Sequence, residues 1–203
     1  MIVRVAFAAG LLAVAACSPS GAATAPKSAA APSAANTATQ TAAPAPAAPA
    51  PAVAAPTLTP AGFGPLRIGM TDAEARAAVG AANIEADTGT EMSETCTEIK
   101  LKGDYPGVYL MINDGKLSRV TLAEGSKFTT DKGIGLGAKP ADVMAAYPAA
   151  VSTPHEYEDP PAVYLTAWTK PEKEGTRFEV NHEGVVGSIY AGDETIQYVE
   201  GCA

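Results

Sequence analysis

The sequence predicts an α+β domain of two related units, each a short helix followed by antiparallel strands, and three observations predict it. First, residues 66–80 laid over residues 134–148 align Gly69 with Gly137 and Ala77-Ala78 with Ala145-Ala146, and set Asp142 opposite Glu74. Second, runs with the period of a strand, separated by turn residues, follow both segments. Third, charge is confined to this part of the chain. All 22 acidic residues lie beyond residue 61, and only Arg4 and Lys27 of the 14 basic ones lie before it, so the side chains beyond 61 carry a formal −10. A period near 68 residues is long for a solenoid, and two α+β units account for it more simply.

Residues 1–16 open with Met-Ile-Val-Arg and continue as the apolar run from Val5 to Ala16. That is a positive n-region and an h-region, too short for the roughly 20 apolar residues a bilayer span needs. Val14-Ala15-Ala16 directly before Cys17 resembles the lipobox of bacterial lipoproteins. The resemblance implies cleavage before Cys17, acylation of that cysteine and anchoring to the bilayer through it. Each buried methylene contributes about 0.8 kcal/mol, so several acyl chains hold where one is marginal. The competing reading, an ordinary secretory signal with Cys17 incidental, exports the protein all the same. Ser18 follows the cysteine and favours the outer membrane, facing the periplasm.

Residues 17–61 are then expected to be a stalk. From Ser18 to Ala61 the chain is almost all Ala, Pro, Thr and Ser, with Lys27 its only charge and no aromatic residue. Pro-Ala alternation favours polyproline II at about 3.1 Å per residue, and the prolines break an Ala-rich helix every few residues. The globular domain occupies 62–203, with units of about 62–130 and 131–203, a comfortable single-domain length.

In the first unit Thr71 and Glu74 form a Thr-x-x-Glu capping box, and Gly80 stops the helix. Strands are expected over 95–101, 108–113 and 117–122, the last two joined by a turn at Asp114-Gly115. In the second unit Pro140 suits the first helical position and Pro148 ends the helix. Strands are expected over 162–169, 176–181 and 185–191, with a turn at His182-Glu183-Gly184, and a last one over 195–199.

Ile68-Gly69-Met70-Thr71, with Glu74, Ala75 and Gly80, resembles the Gly-Met-Thr motif that leads into the helix of SmpA/OmlA proteins, the BamE-like outer-membrane assembly lipoproteins. A tandem of such units is similar to β-lactamase inhibitor protein, whose two repeats each lay helices on an antiparallel sheet. The resemblance implies that fold and a place in the envelope. In the second copy Ala138-Lys139 replaces Met-Thr. The stretch from Pro154 to Trp168 and the ending from Ile196 to Cys202 also resemble uncharacterised proteobacterial lipoproteins.

With Cys17 assigned to lipid, Cys96 and Cys202 remain as a pair in an oxidising compartment, and a disulfide is expected between them. The alternative, a redox pair of thiols, lacks Cys-x-x-Cys spacing. An acidic domain offers nucleic acid no basic surface. Gly133-Ile134-Gly135-Leu136-Gly137 is no nucleotide loop, because Lys139 precedes Pro140 where a P-loop needs Ser or Thr after its lysine.

No catalytic residue, metal or cofactor is assigned. His182 reads as a solvated turn residue, and no Gly-x-Ser-x-Gly elbow occurs. His155 stands among Glu156, Glu158 and Asp159 and could share a metal ion with them, although an acidic loop kept wet is the simpler account. Tyr164, Thr166 and Trp168 share one face of a strand by the period of two. The expected binding surface is therefore Tyr164 and Trp168 with His155 nearby, gripping an envelope protein or a cell-wall component. A non-catalytic binding or scaffold module is the resulting expectation. The alternatives are an inhibitor or chaperone-like partner of an envelope enzyme, suggested by the tandem layout, and a hydrolase whose site is not recognised.

Overall fold

In a computed structural model the structure describes residues 55–85, 90–93 and 95–202. The expected signal peptide, Cys17 and most of the expected stalk lie outside the described residues. The architecture is α+β: two short helices and two antiparallel sheets.

Strands β1 (Leu58–Thr59), β2 (Gly62–Phe63) and β3 (Leu66–Arg67) form a small sheet. Leu58, Phe63 and Leu66 are all buried, so β1 belongs to the packed domain although composition places it in the stalk. Composition misses it because one leucine among Ala, Pro and Thr leaves no periodic signal. Gly62 has φ 147°, and a Cβ there would stand 2.1 Å from the Leu66 carbonyl oxygen, which only glycine avoids.

Helix α1 (Asp72–Val79) starts at the expected cap. The Thr71 hydroxyl accepts from the Glu74 N–H, and the Glu74 carboxylate accepts from the Thr71 N–H at 2.9 Å. Helix α2 (Pro140–Ala146) has proline at its first position and no side-chain N-cap; Asp142 accepts from the Lys139 N–H instead. Both are led in the same way. Gly69 N–H donates to Leu117 O and Leu117 N–H to Met70 O, both at 2.7 Å. Gly137 N–H donates to Val186 O at 2.8 Å and Val186 N–H to Ala138 O at 2.9 Å. Gly69 and Gly137 have φ of 90° and 81°.

The large sheet contains β4 (Thr90–Ser93), β5 (Cys96–Lys100), β6 (Val108–Asn113), β7 (Lys116–Leu122), β8 (Val151–Pro154), β9 (Val163–Lys170), β10 (Glu174–Val180) and β11 (Val186–Gly192). Its order is β4-β5-β6-β7-β11-β10-β9-β8. Two meanders thus run from opposite edges and meet where β7 pairs with β11. Edge strand β8 is short, wholly exposed and closed by Pro154, which discourages pairing with another chain.

Register fixes what each face carries. Across five strands Val108, Leu122, Ile189, Phe178 and Leu165 stand side by side, and all are buried. They join Ala75 and Val79 of α1 and Val143 of α2 in one hydrophobic cluster. The neighbouring row on the opposite face reads Tyr109, Thr121, Tyr190, Arg177 and Thr166. The next reads Glu98, Met111, Arg119, Gly192, Gly175 and Trp168, linked pair by pair between neighbouring strands.

The expected strand over 195–199 is absent. Gly192 ends β11, and the Asp193 carboxylate accepts from the Thr195 N–H at 2.9 Å, starting a short 3-10 helix, Glu194–Gln197. The β-branched Thr195 and Ile196 do not extend the sheet; they are buried against its polar face. An Asx turn after a glycine outranked local β propensity.

Candidate functional site

The C-terminal segment from Asp193 to Cys202 forms a strap across the polar face. Its first anchor is Asp193 N–H donating to Ser118 O at 3.0 Å. Ile196 then settles over Gly175, where a Cβ would meet the Trp168 ring at 2.6 Å and the Ile196 side chain at 3.1 Å. Arg119 Nη1 donates to Thr195 O and Tyr198 O, each at 3.0 Å, and Arg177 Nη1 donates to Ile196 O at 3.3 Å. At the far end Cys202 is bridged to Cys96 of β5, with Cα atoms 5.4 Å apart, as the pairing of the two leftover cysteines predicts.

Beneath the strap is a polar network. Arg119, whose side chain is 4% exposed, donates from Nη2 to Glu98 at 2.9 Å. Burial lowers its pKa, and the Glu98 carboxylate works against that shift. Tyr190 donates its O–H to Glu179; burial first and the Glu179 carboxylate second push its pKa up. The other oxygen of Glu179 lies 3.2 Å from His155 Nε2. His155 Nδ1 accepts the N–H groups of Tyr157 and Glu158, at 3.2 and 3.1 Å, so these partners assign the ring proton to Nε2.

His155 is therefore no wet loop residue. Its side chain is 4% exposed, stacked on Tyr164 with ring centroids 4.5 Å apart. The Arg177 guanidinium carbon lies 3.6 Å from the centre of the same Tyr164 ring. Burial raises the Tyr164 pKa and lowers that of Arg177. Both nitrogens of His155 are occupied by hydrogen bonds within the protein. Glu156, Glu158 and Asp159 do not gather around it: among the described residues no group of three or more His, Cys, Asp or Glu side chains is placed to hold a metal ion. His182 sits exposed in its turn, 3.5 Å from Glu158.

The expected aromatic surface divides in two. Tyr164 is buried between residues of its own chain and offers nothing to a partner. Trp168 is half-buried and lines an apolar cleft of about 260 Å³ with Tyr147, Pro148, Ala149 and Pro60. Lys132 stands at this cleft, its Nζ 4.1 Å from the centre of the Tyr147 ring and donating to Ala146 O. A second cleft, about 280 Å³ and more polar, opens beside the strap among Glu98, Tyr109, Arg119, Thr121, Ser188 and Tyr190, with Val199 and Glu200 of the strap at its side.

The sequence reading passed over Arg119, Arg177, Glu98 and Glu179. A signal was present: charged or polar residues at every second position of strongly β-patterned runs, Arg119 with Thr121 and Arg177 with Glu179. On a sheet whose other face is apolar, such residues share one surface.

Comparison of the chain with protein-family models, with curated proteins and with solved structures returns no match.

Proposed function

We propose that this chain is an envelope lipoprotein, anchored by lipid on Cys17 at the outer membrane and facing the periplasm, whose domain binds another envelope protein and catalyses nothing. The observation that carries the binding reading is the Trp168 cleft. It is apolar, aromatic and about 260 Å³, a size and lining suited to an aliphatic or proline side chain of a protein partner. The lining is mainly apolar, with Trp168, Tyr147, Pro148 and Ala149, and also carries Asp131, Lys132, Thr169 and Thr176 as polar groups. The Cys96–Cys202 bridge supports export to an oxidising compartment.

The domain on this reading is a tandem of two related units, the layout of β-lactamase inhibitor protein built from BamE-like parts. Support comes from the matched Gly69 and Gly137 hydrogen bonds and from the two meanders that meet at β7 and β11.

Trp168 is the chain's only tryptophan, and a photo-crosslinking residue at Thr169 stands beside it. In intact membranes a discrete adduct is expected, reduced roughly tenfold or more by Trp168→Ala, the loss expected of a hot-spot aromatic. The variant's melting temperature should stay close to the parent's. No adduct, or one indifferent to Trp168→Ala, would sink the binding reading. The anchor has its own test: Cys17→Ser should abolish acyl labelling and release the protein from the membrane fraction.

A further inference from the structure

We propose that the outer half of the strap, residues 198–202, is a redox-releasable cover over an anion-binding cleft anchored by Arg119. The two halves of the strap are fastened by different means. Thr195 and Ile196 are each 1% exposed, and Asp193 is hydrogen-bonded to the sheet, so the inner half is packed in place. Tyr198, Val199 and Glu200 are exposed, and none of the backbone hydrogen bonds among the described residues joins 199–202 to the sheet. What holds the outer half is the Cys96–Cys202 bond, helped by the Tyr157 O–H donated to Glu200 and by Arg119 donating to Tyr198 O.

The cover hides specific groups. Met111 lies on the polar face at 1% exposure, and its hydrophobic cluster consists of itself, Cys96 and Cys202 alone. Arg119 has one Nη1 shared between two strap carbonyls and an Nε with no partner. The other buried side-chain atoms without a partner among the described residues are Arg177 Nε and Tyr164 Oη, on the same face. Of these residues, Arg119 lines the cleft beside the strap, and its idle buried Nε marks a surface with room for an oxygen atom beyond those its own chain provides. The strap carbonyls are weak stand-ins for an anion's oxygens, because a charged acceptor binds a guanidinium about twice as strongly as a neutral one.

Release is thiol–disulfide exchange with an external dithiol. Its thiolate attacks one sulfur of the bridge, giving a mixed disulfide and freeing the other cysteine. Its second thiol then resolves the mixed disulfide. Two electrons and two protons pass to Cys96 and Cys202, which become thiols, and the donor leaves as a disulfide. With residues 198–202 free, Arg119 Nη1 loses Tyr198 O, and the adjoining cleft of about 280 Å³ loses the wall formed by Val199, Glu200 and Gly201. A carboxylate can then approach Arg119, with the Thr121 and Ser188 hydroxyls beside it as further donors. The ligand half of this inference rests on the binding-module reading; the release half does not.

The test uses the full mature chain, oxidised, reduced with dithiothreitol, and as the Cys96→Ser/Cys202→Ser double variant. Met111 sulfoxidation by dilute peroxide and Arg119 modification by phenylglyoxal, both mapped by mass spectrometry, report release; the already exposed Met144 is the internal control. Reduction and the double variant should each speed both reactions roughly tenfold or more, as local opening does, while a cooperative thermal transition remains. Met111 staying protected, or the transition disappearing altogether, overturns the release. A fluorescein-labelled tetraglutamate peptide, followed by anisotropy, should bind the reduced chain and the double variant but not the oxidised chain. Both Arg119→Gln and Ser188→Ala, made in the double variant, should weaken it. Release without peptide binding, or binding indifferent to both substitutions, overturns the anion site and leaves the cover standing.

Discussion

Along one face of the large sheet Val108, Leu122, Ile189, Phe178 and Leu165 pack against two helices; one residue further along the same strands, Thr121, Tyr190 and Arg177 face a strap of ten residues. The first surface is closed by area removed from water, which is non-directional and large in sum. The second is closed by directional contacts to two buried arginines and one covalent bond. Hydrogen bonds of that kind contribute little net stability but are costly to leave unmade. Stability and specificity are thus assigned to opposite sides of one sheet, and the polar side is where a partner or a switch can act without unfolding the domain.

The heaviest test of this division is Phe178→Ala. Phe178 is fully buried, with its ring centroid 5.0 Å from that of Tyr147 of the α2 end, and its loss should cost about 3–5 kcal/mol in denaturant unfolding. The Cys96→Ser/Cys202→Ser pair should come second, at about 2–4 kcal/mol, because the bridge closes a loop spanning 106 residues but orders only the outer strap in the native state. A larger loss from the cysteines than from Phe178 would mean that the polar face, too, is a stability element.

The apolar face was the legible one. Period-two patterning placed six of the strands, Thr71 with Glu74 and Pro140 with Pro148 placed both helices, and the leftover cysteines paired as expected. Strands β4 and β8 escaped because each is four residues long and β8 carries no buried residue to set a period. The polar face was hidden for a different reason. What Tyr164 does depends on His155, nine residues away, and on Arg177 across the neighbouring strand, a register that no local window contains. Aromatic content alone pointed to Tyr164 and Trp168 together, whereas burial separates them.

Alkaline titration compares the faces through one tyrosine on each. Burial pushes the Tyr147 hydroxyl up to about 12, and Tyr190 is raised as well, by burial and then by Glu179. A folded-state value above the unfolded one of about 10 favours the neutral phenol in the fold. The contribution of Tyr147 is therefore complete below pH 10 and lost as pH rises from 10 through 12. Tyr147→Phe should flatten that part of the decline when unfolding is followed by Trp168 fluorescence, with Tyr190→Phe flattening the remainder. An unchanged slope in both variants would show that neither phenol is kept neutral by the fold.

The smallest effect is expected where a buried charge would suggest the largest. Arg177 is 8% exposed, donates one hydrogen bond, at 3.3 Å, to Ile196 O, has an Nε without a partner, and lies against the Tyr164 ring. Its desolvation cost is met by little, and burial accordingly lowers its pKa. Replacing such a group with an apolar side chain of similar length removes the cost together with the weak contacts, so Arg177→Met should change stability by no more than about 1 kcal/mol in either direction. The strap should feel it more: Ile196 loses its carbonyl partner, and hydrogen exchange at the Ile196 and Tyr198 amides should quicken while the Phe178 amide is unaffected. A loss of about 3 kcal/mol or more would place Arg177 in the same class as Phe178, and the two faces would then differ in composition but not in purpose.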